Sequence, residues 1–122
     1  MKSRTLERRA KPVTLPSDVL LLDPQDVERY FKTHRGLAKI VPAMCRRARR
    51  EFGKEGELTL QVYHDPEIDD HYLILYVRLP RYDGDARARI DGVWEHFERQ
   101  LCDLSGWIIL STDFRKVDGH GV

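Results

Sequence analysis

The chain has little that would commit it to a known chemistry. Only two of its 122 residues are cysteine, and no apolar run approaches the ~20 residues of a membrane span. Neither Cys45 nor Cys102 has a Cys or His at metal-ligand spacing, so we expect free thiols. No Gly-rich phosphate loop or nucleophilic serine motif is present, and the predicted strand 71–79 lacks the lysine typical of metal-dependent nucleases. These absences favour a protein that is not an enzyme, and we expect no cofactor and no membrane contact.

What is present is a globular composition with an uneven charge. Hydrophobic residues make up 41% and charged residues 34% of the chain, with a formal net charge of +1. Residues 1–12 nevertheless hold five basic side chains and one acidic one. We therefore predict a flexible basic arm over 1–16, a single domain over 17–115 and a flexible tail over 116–122. A basic arm is typical of contact with nucleic acid or an acidic protein, or simply of a solvated terminus.

Three helices follow from the apolar periodicity. The first begins at Asp23-Pro24, where Asp23 can cap the helix and Pro24 suits its first position, and Gly36 closes it. The second spans about 37–52 and contains Pro42, which either kinks it or marks its true start. The third spans about 85–104.

Alternating apolar residues predict strands at about 58–64 and 71–79, and a short last strand at 107–112. A further apolar run, 19–22, is left open as a first strand. The resulting class is α+β, a two-layer domain with a small antiparallel or mixed sheet of three to four strands and helices on one face. If 19–22 pairs, the order β-α-β-β-α-β also fits a ferredoxin-like arrangement.

The two central strands are joined by an acidic turn that carries Asp65, Glu67, Asp69 and Asp70. Oxygen-rich clusters suit Mg²⁺ or Ca²⁺, so these four residues are candidate metal ligands, with His64 and His71 beside them. The turn is not an EF-hand loop, because Asp70 stands where that loop has Gly and Tyr76 where it has Glu. The alternative is a solvated hairpin turn begun by Asp-Pro.

The second helix carries a basic patch made of Lys39, Arg46, Arg47, Arg49 and Arg50. Such a stripe can contact phosphate or an acidic partner, and arginine suits recognition better than lysine. The alternative is an ordinary solvated helix face.

The predicted sheet has an unusual second face, formed by Tyr63, Tyr72, Ile74, Tyr76, Trp107 and Ile109. A monomer rarely exposes so large an apolar patch. Three explanations are open. The N-terminal segment of the same chain covers the face, a second copy of the protein covers it, or nucleic-acid bases stack on it as on RRM-type sheets. The RRM sequence pattern is not met over 71–78.

The hairpin Val62-Tyr-His-Asp-Pro-Glu-Ile-Asp-Asp-His-Tyr-Leu-Ile-Leu-Tyr-Val-Arg78, with Trp107 and the later Thr112-Asp113-Phe114-Arg115, resembles a group of small bacterial proteins of uncharacterised function. The resemblance covers about residues 37–115. It implies a bacterial, cytoplasmic protein and assigns no activity or catalytic residue.

Together these features favour a non-enzymatic interaction or self-assembling domain. We predict a homo-oligomer, or a complex with a bacterial partner protein, formed through the aromatic sheet face. One alternative is a metal-binding domain or metal-dependent enzyme centred on the acidic turn. The other is nucleic-acid binding through the arginine-rich helix.

Overall fold

The computed structural model describes residues 15–67 and 70–113. The strands are β1 (Val19–Leu21), β2 (Glu57–Asp65), β3 (Asp70–Arg78) and β4 (Ile108–Ser111), and the helices are α1 (Pro24–Thr33), α2 (Leu37–Phe52) and α3 (Ala86–Cys102). The predicted tail 116–122 and residues 1–14 of the predicted basic arm lie outside the described residues.

The four strands form one mixed sheet in the order β1-β2-β3-β4. β1 runs parallel to β2, β2 antiparallel to β3, and β3 parallel to β4. The open question over 19–22 is thus settled: Val19 pairs with Leu58 and Leu21 with Leu60. The α+β two-layer class is confirmed. The element order also allowed a ferredoxin-like sheet, in which another strand lies between β1 and β2. In the observed sheet β1 and β2 are direct neighbours.

The core lies between the helices and one face of the sheet. Every second residue of β2 and β3 points into it, so Leu58, Leu60, Leu75 and Val77 are at most 1% exposed. All three helices contribute to the same cluster, through Val27, Phe31, Leu37, Val41, Met44, Ala48, Ile90, Val93, Phe97 and Leu101. The helices described here therefore cover a single face of the sheet.

This arrangement fixes the hands of the two crossover connections. β1 leads to β2 through α1 and α2, and β3 leads to β4 through α3. Each connection moves the chain by one strand toward the β4 edge of the sheet. The two pairs of strands point in opposite directions, since β2 and β3 are antiparallel. With all helices on one face, the two connections must have opposite hands. One of them is therefore left-handed, although about 98% of such connections are right-handed.

Two helix signals behave differently from the expectation. Asp23 adopts a left-handed conformation (φ 49°), and its side chain makes no capping hydrogen bond. Its carbonyl oxygen instead accepts hydrogen bonds from the N–H groups of Asp26 and Val27, at 2.9 and 3.3 Å. Pro42 neither starts nor ends α2, since the helix begins five residues earlier and buries the proline ring.

Both cysteines carry free thiols, as expected. Cys102 is exposed at the end of α3, whereas Cys45 is buried in α2. Burial raises the pKa of the Cys45 thiol to about 12, with the charge of Asp18 adding to the effect. Cys45 therefore behaves as a small apolar core residue rather than as a nucleophile.

Candidate functional site: the outer face of the sheet

The face of the sheet that points away from the helices, the outer face, is built in rows across the strands. One row pairs Leu20 with Thr59, Tyr76 and Ser111; the next pairs Gln61 with Ile74 and Ile109; the third pairs Tyr63 with Tyr72. The alternation of side chains along each strand fixes this set. The structure thus brings together five of the six residues predicted for this face.

The outer face is neutral at its centre and charged at its two ends. None of the nine residues in those rows is Asp, Glu, His, Lys or Arg. At one end Arg78 bridges two carboxylates, with Nη1 3.4 Å from Glu57 Oε1 and Nη2 2.9 Å from Asp113 Oδ2. At the other end lies the pair Asp65 and Asp70. An apolar, uncharged centre with a charged rim is the usual anatomy of a protein–protein interface.

Aromatic contacts organise this face. The rings of Tyr63 and Tyr72 lie 5.2 Å apart at an angle of 41°, a tilted geometry that aromatic pairs favour. Reduced contact with water raises the pKa of the Tyr72 hydroxyl, and the neighbouring groups of Tyr63 and Asp65 add to the increase. Tyr72 therefore stays neutral throughout the physiological pH range, which keeps this part of the face uncharged.

The structure adds two observations to the predicted set of outer-face residues, one on Trp107 and one on Leu20. Trp107 precedes β4, and its ring packs edge-on against Trp94 of α3, with 5.7 Å between centroids. Trp107 thus contacts the helical layer in addition to lying near Tyr72. Leu20, not in the predicted set, lies on the outer face with 51% of its surface exposed. In the sequence, Leu20 belongs to the apolar run 19–22. That run does not show which residues point to the outer face until the strand it pairs with is known.

A cleft of about 550 Å³ opens at the hairpin end of the sheet. It is lined by Tyr30, Thr33, His34, Asp70, His71, Tyr72, Gly106 and Trp107. Tyr30 anchors it, because its hydroxyl accepts a 3.0 Å hydrogen bond from the N–H of Trp107 and donates one of 3.3 Å to the carbonyl of His71. In the sequence, Tyr30 lies in the apolar stripe of the first helix. A tyrosine in such a stripe is buried, and its hydroxyl then needs a hydrogen-bond partner.

The acidic turn uses two carboxylates to shape its own backbone. Asp65 accepts a 2.9 Å hydrogen bond from the N–H of Glu67, and Asp70 accepts one from the N–H of His71. His64 and His71 do face each other, with ring centroids 4.4 Å apart. Among the described residues no group of three or more His, Cys, Asp or Glu is placed to hold a metal ion. Asp69 lies outside those residues, so the metal site stays a prediction.

The basic patch of α2 divides into exposed and structural arginines. Lys39, Arg46 and Arg50 are exposed, and Arg47 is half-buried. Arg49 instead points to the loop that follows the helix, where Nη1 donates hydrogen bonds of 2.7 and 2.6 Å to the carbonyls of Gly53 and Gly56. Its Nε also lies 2.8 Å from Asp18 Oδ2. Arg49 therefore ties α2 to the chain before β1 and the loop before β2.

We expect Arg49→Ala to lower the free energy of unfolding by about 1.5–3 kcal/mol, because hydrogen bonds from a charged donor are worth that much when their partners lose water. Urea unfolding measures the effect. Arg46→Ala, on the exposed side of the same helix, is the matched control and should stay within about 0.5 kcal/mol of the wild type. Equal effects from the two substitutions would contradict the structural role of Arg49.

Comparison with known proteins shows no family for this chain. No protein-family model matches the chain, and neither the curated proteins nor the solved structures contain a match. The resemblance to small bacterial proteins therefore stays a prediction. Within the described residues, no helix combines the length and the apolar character that crossing a bilayer requires.

Proposed function

We propose that this protein is a non-enzymatic self-assembling domain, in which two copies pack outer face against outer face. The observation that carries the proposal is the outer face itself. It is aromatic and uncharged at its centre, and the helices described here all pack on the opposite side of the sheet. Soluble monomers rarely leave a large apolar patch exposed, and contact with another protein is one of the roles that such a patch serves.

Charge favours a second copy as the occupant. A two-fold symmetric contact places the same patch on both sides, so any net charge at its centre would repel itself. The rows through Tyr76, Ile74 and Tyr72 carry no charge, and the charges of Glu57, Arg78 and Asp113 neutralise one another in part at the edge. The outer face therefore suits contact with its own copy.

The side chains also suit such a contact. Two sheets that pack face to face lie about 10 Å apart and interdigitate their side chains. Tyrosine is among the residues that dominate interface energies, since it adds a large surface with few rotatable bonds. Ile74 and Thr59, in the middle of the face, are already buried in the single chain, at 7% and 3% exposure. Tyr63, Tyr72 and Tyr76 are half-buried, so their rings provide the surface that a partner would cover. Leu20 extends the patch toward the edge strand β1.

Light scattering behind size-exclusion chromatography tests the proposal with the double substitution Tyr72→Glu/Tyr76→Glu. We expect a wild-type dimer that the substitution splits into folded monomers. Each carboxylate buried without a partner costs several kcal/mol, so the dissociation constant should rise by at least about 100-fold. Circular dichroism establishes that the monomers remain folded.

A matched control places two new carboxylates outside the outer face, at Gln25→Glu/Gln100→Glu. Both positions are exposed on helices, so this variant should stay dimeric. A wild type that is monomeric at high concentration, and that unfolds when Tyr72 and Tyr76 are changed, would overturn the proposal. Those tyrosines would then belong to the core of a single chain.

A further inference from the structure

We propose that the cleft at the hairpin end binds a cationic side chain, the ammonium of a lysine or the guanidinium of an arginine, presented by a basic peptide segment. This inference is independent of the self-assembly proposed above. The cleft differs from the outer face in chemistry, although the two adjoin: Tyr72 lines both, and Asp70 lies in the cleft and at the charged end of the outer face.

The walls of the cleft are aromatic. Five of its eight lining residues carry rings: Tyr30, His34, His71, Tyr72 and Trp107. The ring of His34 lies 4.4 Å from that of Tyr30, and its Nδ1 is 2.9 Å from Ser105 Oγ, so two contacts hold it in place. Faces of Trp and Tyr attract cations through their π electrons, by about 0.5–2 kcal/mol for each contact.

One carboxylate stands among the rings of the cleft. Of the lining residues that the structure describes, Asp70 is the acidic one, and neither lysine nor arginine is among them. Asp70 Oδ1 accepts the N–H of His71, whereas Oδ2 makes no hydrogen bond or ion pair within residues 15–67 and 70–113. Burial raises the pKa of the Tyr30 hydroxyl in the wall of the cleft, and the charge of Asp70 adds to that increase. Aromatic rings with one carboxylate form a site for a cation rather than for an anion.

The surroundings of the cleft carry both signs. Asp65 and Glu67 lie on the turn beside Asp70, whereas Lys32 and Arg35 are exposed next to the lining residues Thr33 and His34 at the end of α1. A basic peptide is therefore selected by the carboxylate and the rings of the cleft itself. The sequence itself contains such a peptide, since residues 1–12 hold five basic side chains against one acidic one. The ligand chemistry is shared by this segment and by a foreign basic peptide, and the experiment below separates them.

The probe is a synthetic peptide with the sequence of residues 1–12, added to the full-length protein while the indole N–H signal of Trp107 is followed by NMR. The second protein needed is a full-length variant in which the basic residues of that segment are neutralised by Lys2→Gln, Arg4→Gln, Arg8→Gln, Arg9→Gln and Lys11→Gln.

We expect a saturable shift of the Trp107 signal with at least one of the two proteins. A shift with both indicates that the cleft is open to a foreign peptide, and a shift with the neutralised variant alone indicates that the chain's own segment already fills it.

The decisive substitution is Asp70→Asn, made in whichever protein binds. It should weaken binding by about 5-fold or more, since it removes the carboxylate that stands among the described lining residues. Glu67→Gln removes the same charge from an exposed position of the same turn, outside the cleft, and should change the affinity by less than about 2-fold. No saturable shift with either protein, an equal affinity after Asp70→Asn, or a shift produced by inorganic phosphate instead would overturn the proposal.

Discussion

We expect Leu75→Ala to lower the free energy of unfolding by about 3–4 kcal/mol. Leu75 stands at the centre of β3, in register with Leu60 on one side and Leu110 on the other, and none of its surface is exposed. Removing its side chain leaves a cavity between the sheet and the helices, which the neighbouring strands cannot close without losing their pairing. Urea unfolding followed by circular dichroism measures the loss.

Leu20→Ala is the control for this substitution. It removes the same atoms from a residue that is 51% exposed on the other face of the sheet, so the expected change is below about 0.5 kcal/mol. Both variants are to be compared at concentrations where the wild type is monomeric, because Leu20 belongs to the proposed dimer contact. A loss for Leu20→Ala as large as that for Leu75→Ala would show that the core does not lie on the helical side alone.

We expect Gly106→Ala to lower the free energy of unfolding by about 2–4 kcal/mol. Gly106 has φ 81°, and a left-handed conformation costs about 1–2 kcal/mol for a residue with a Cβ. A Cβ here would also lie 2.7 Å from Cγ and 2.9 Å from Cβ of His34. These atoms sit next to the backbone of His34 and cannot swing away, so α1 or the loop before β4 must move.

The same substitution at Gly92 should have the opposite sign. Gly92 lies in the interior of α3, exposed, with nothing within 4 Å of the position a Cβ would take. Alanine in a helix interior is favoured over glycine by about 0.5–1 kcal/mol, so Gly92→Ala should stabilise the protein by that amount. Thermal unfolding of the two variants checks the contrast, and a neutral Gly106→Ala would contradict the tight packing around His34.

Periodicity predicted the elements of this fold well because their apolar residues repeat with the period of the structure they form. The stripe from Leu37 to Phe52 gave α2 with its observed bounds, although Pro42 lies inside it. The pairing of β1 was beyond such reasoning. Three apolar residues fit many positions, and the choice of β2 as partner depends on how α1 and α2 return the chain to the sheet.

The sites were harder to predict than the elements. The tyrosines of the outer face follow from alternation along β2 and β3, whereas the contact of Trp107 with Trp94 of α3 depends on how the helix packs and has no signal in the strand pattern. The cleft joins Tyr30 and His34 to residues about 40 and 70 positions away. No spacing in the sequence connects them, and only the folded chain brings them together.

The opposite hands of the two crossover connections bear on the internal symmetry of this fold. Each half of the fold consists of two parallel strands with helix between them, which would suggest an ancient duplication of one unit. Two copies of one unit would share one hand, however, and these halves do not. The halves therefore cannot be superposed as repeats, and the central hairpin of β2 and β3 joins two units that are wound in opposite senses.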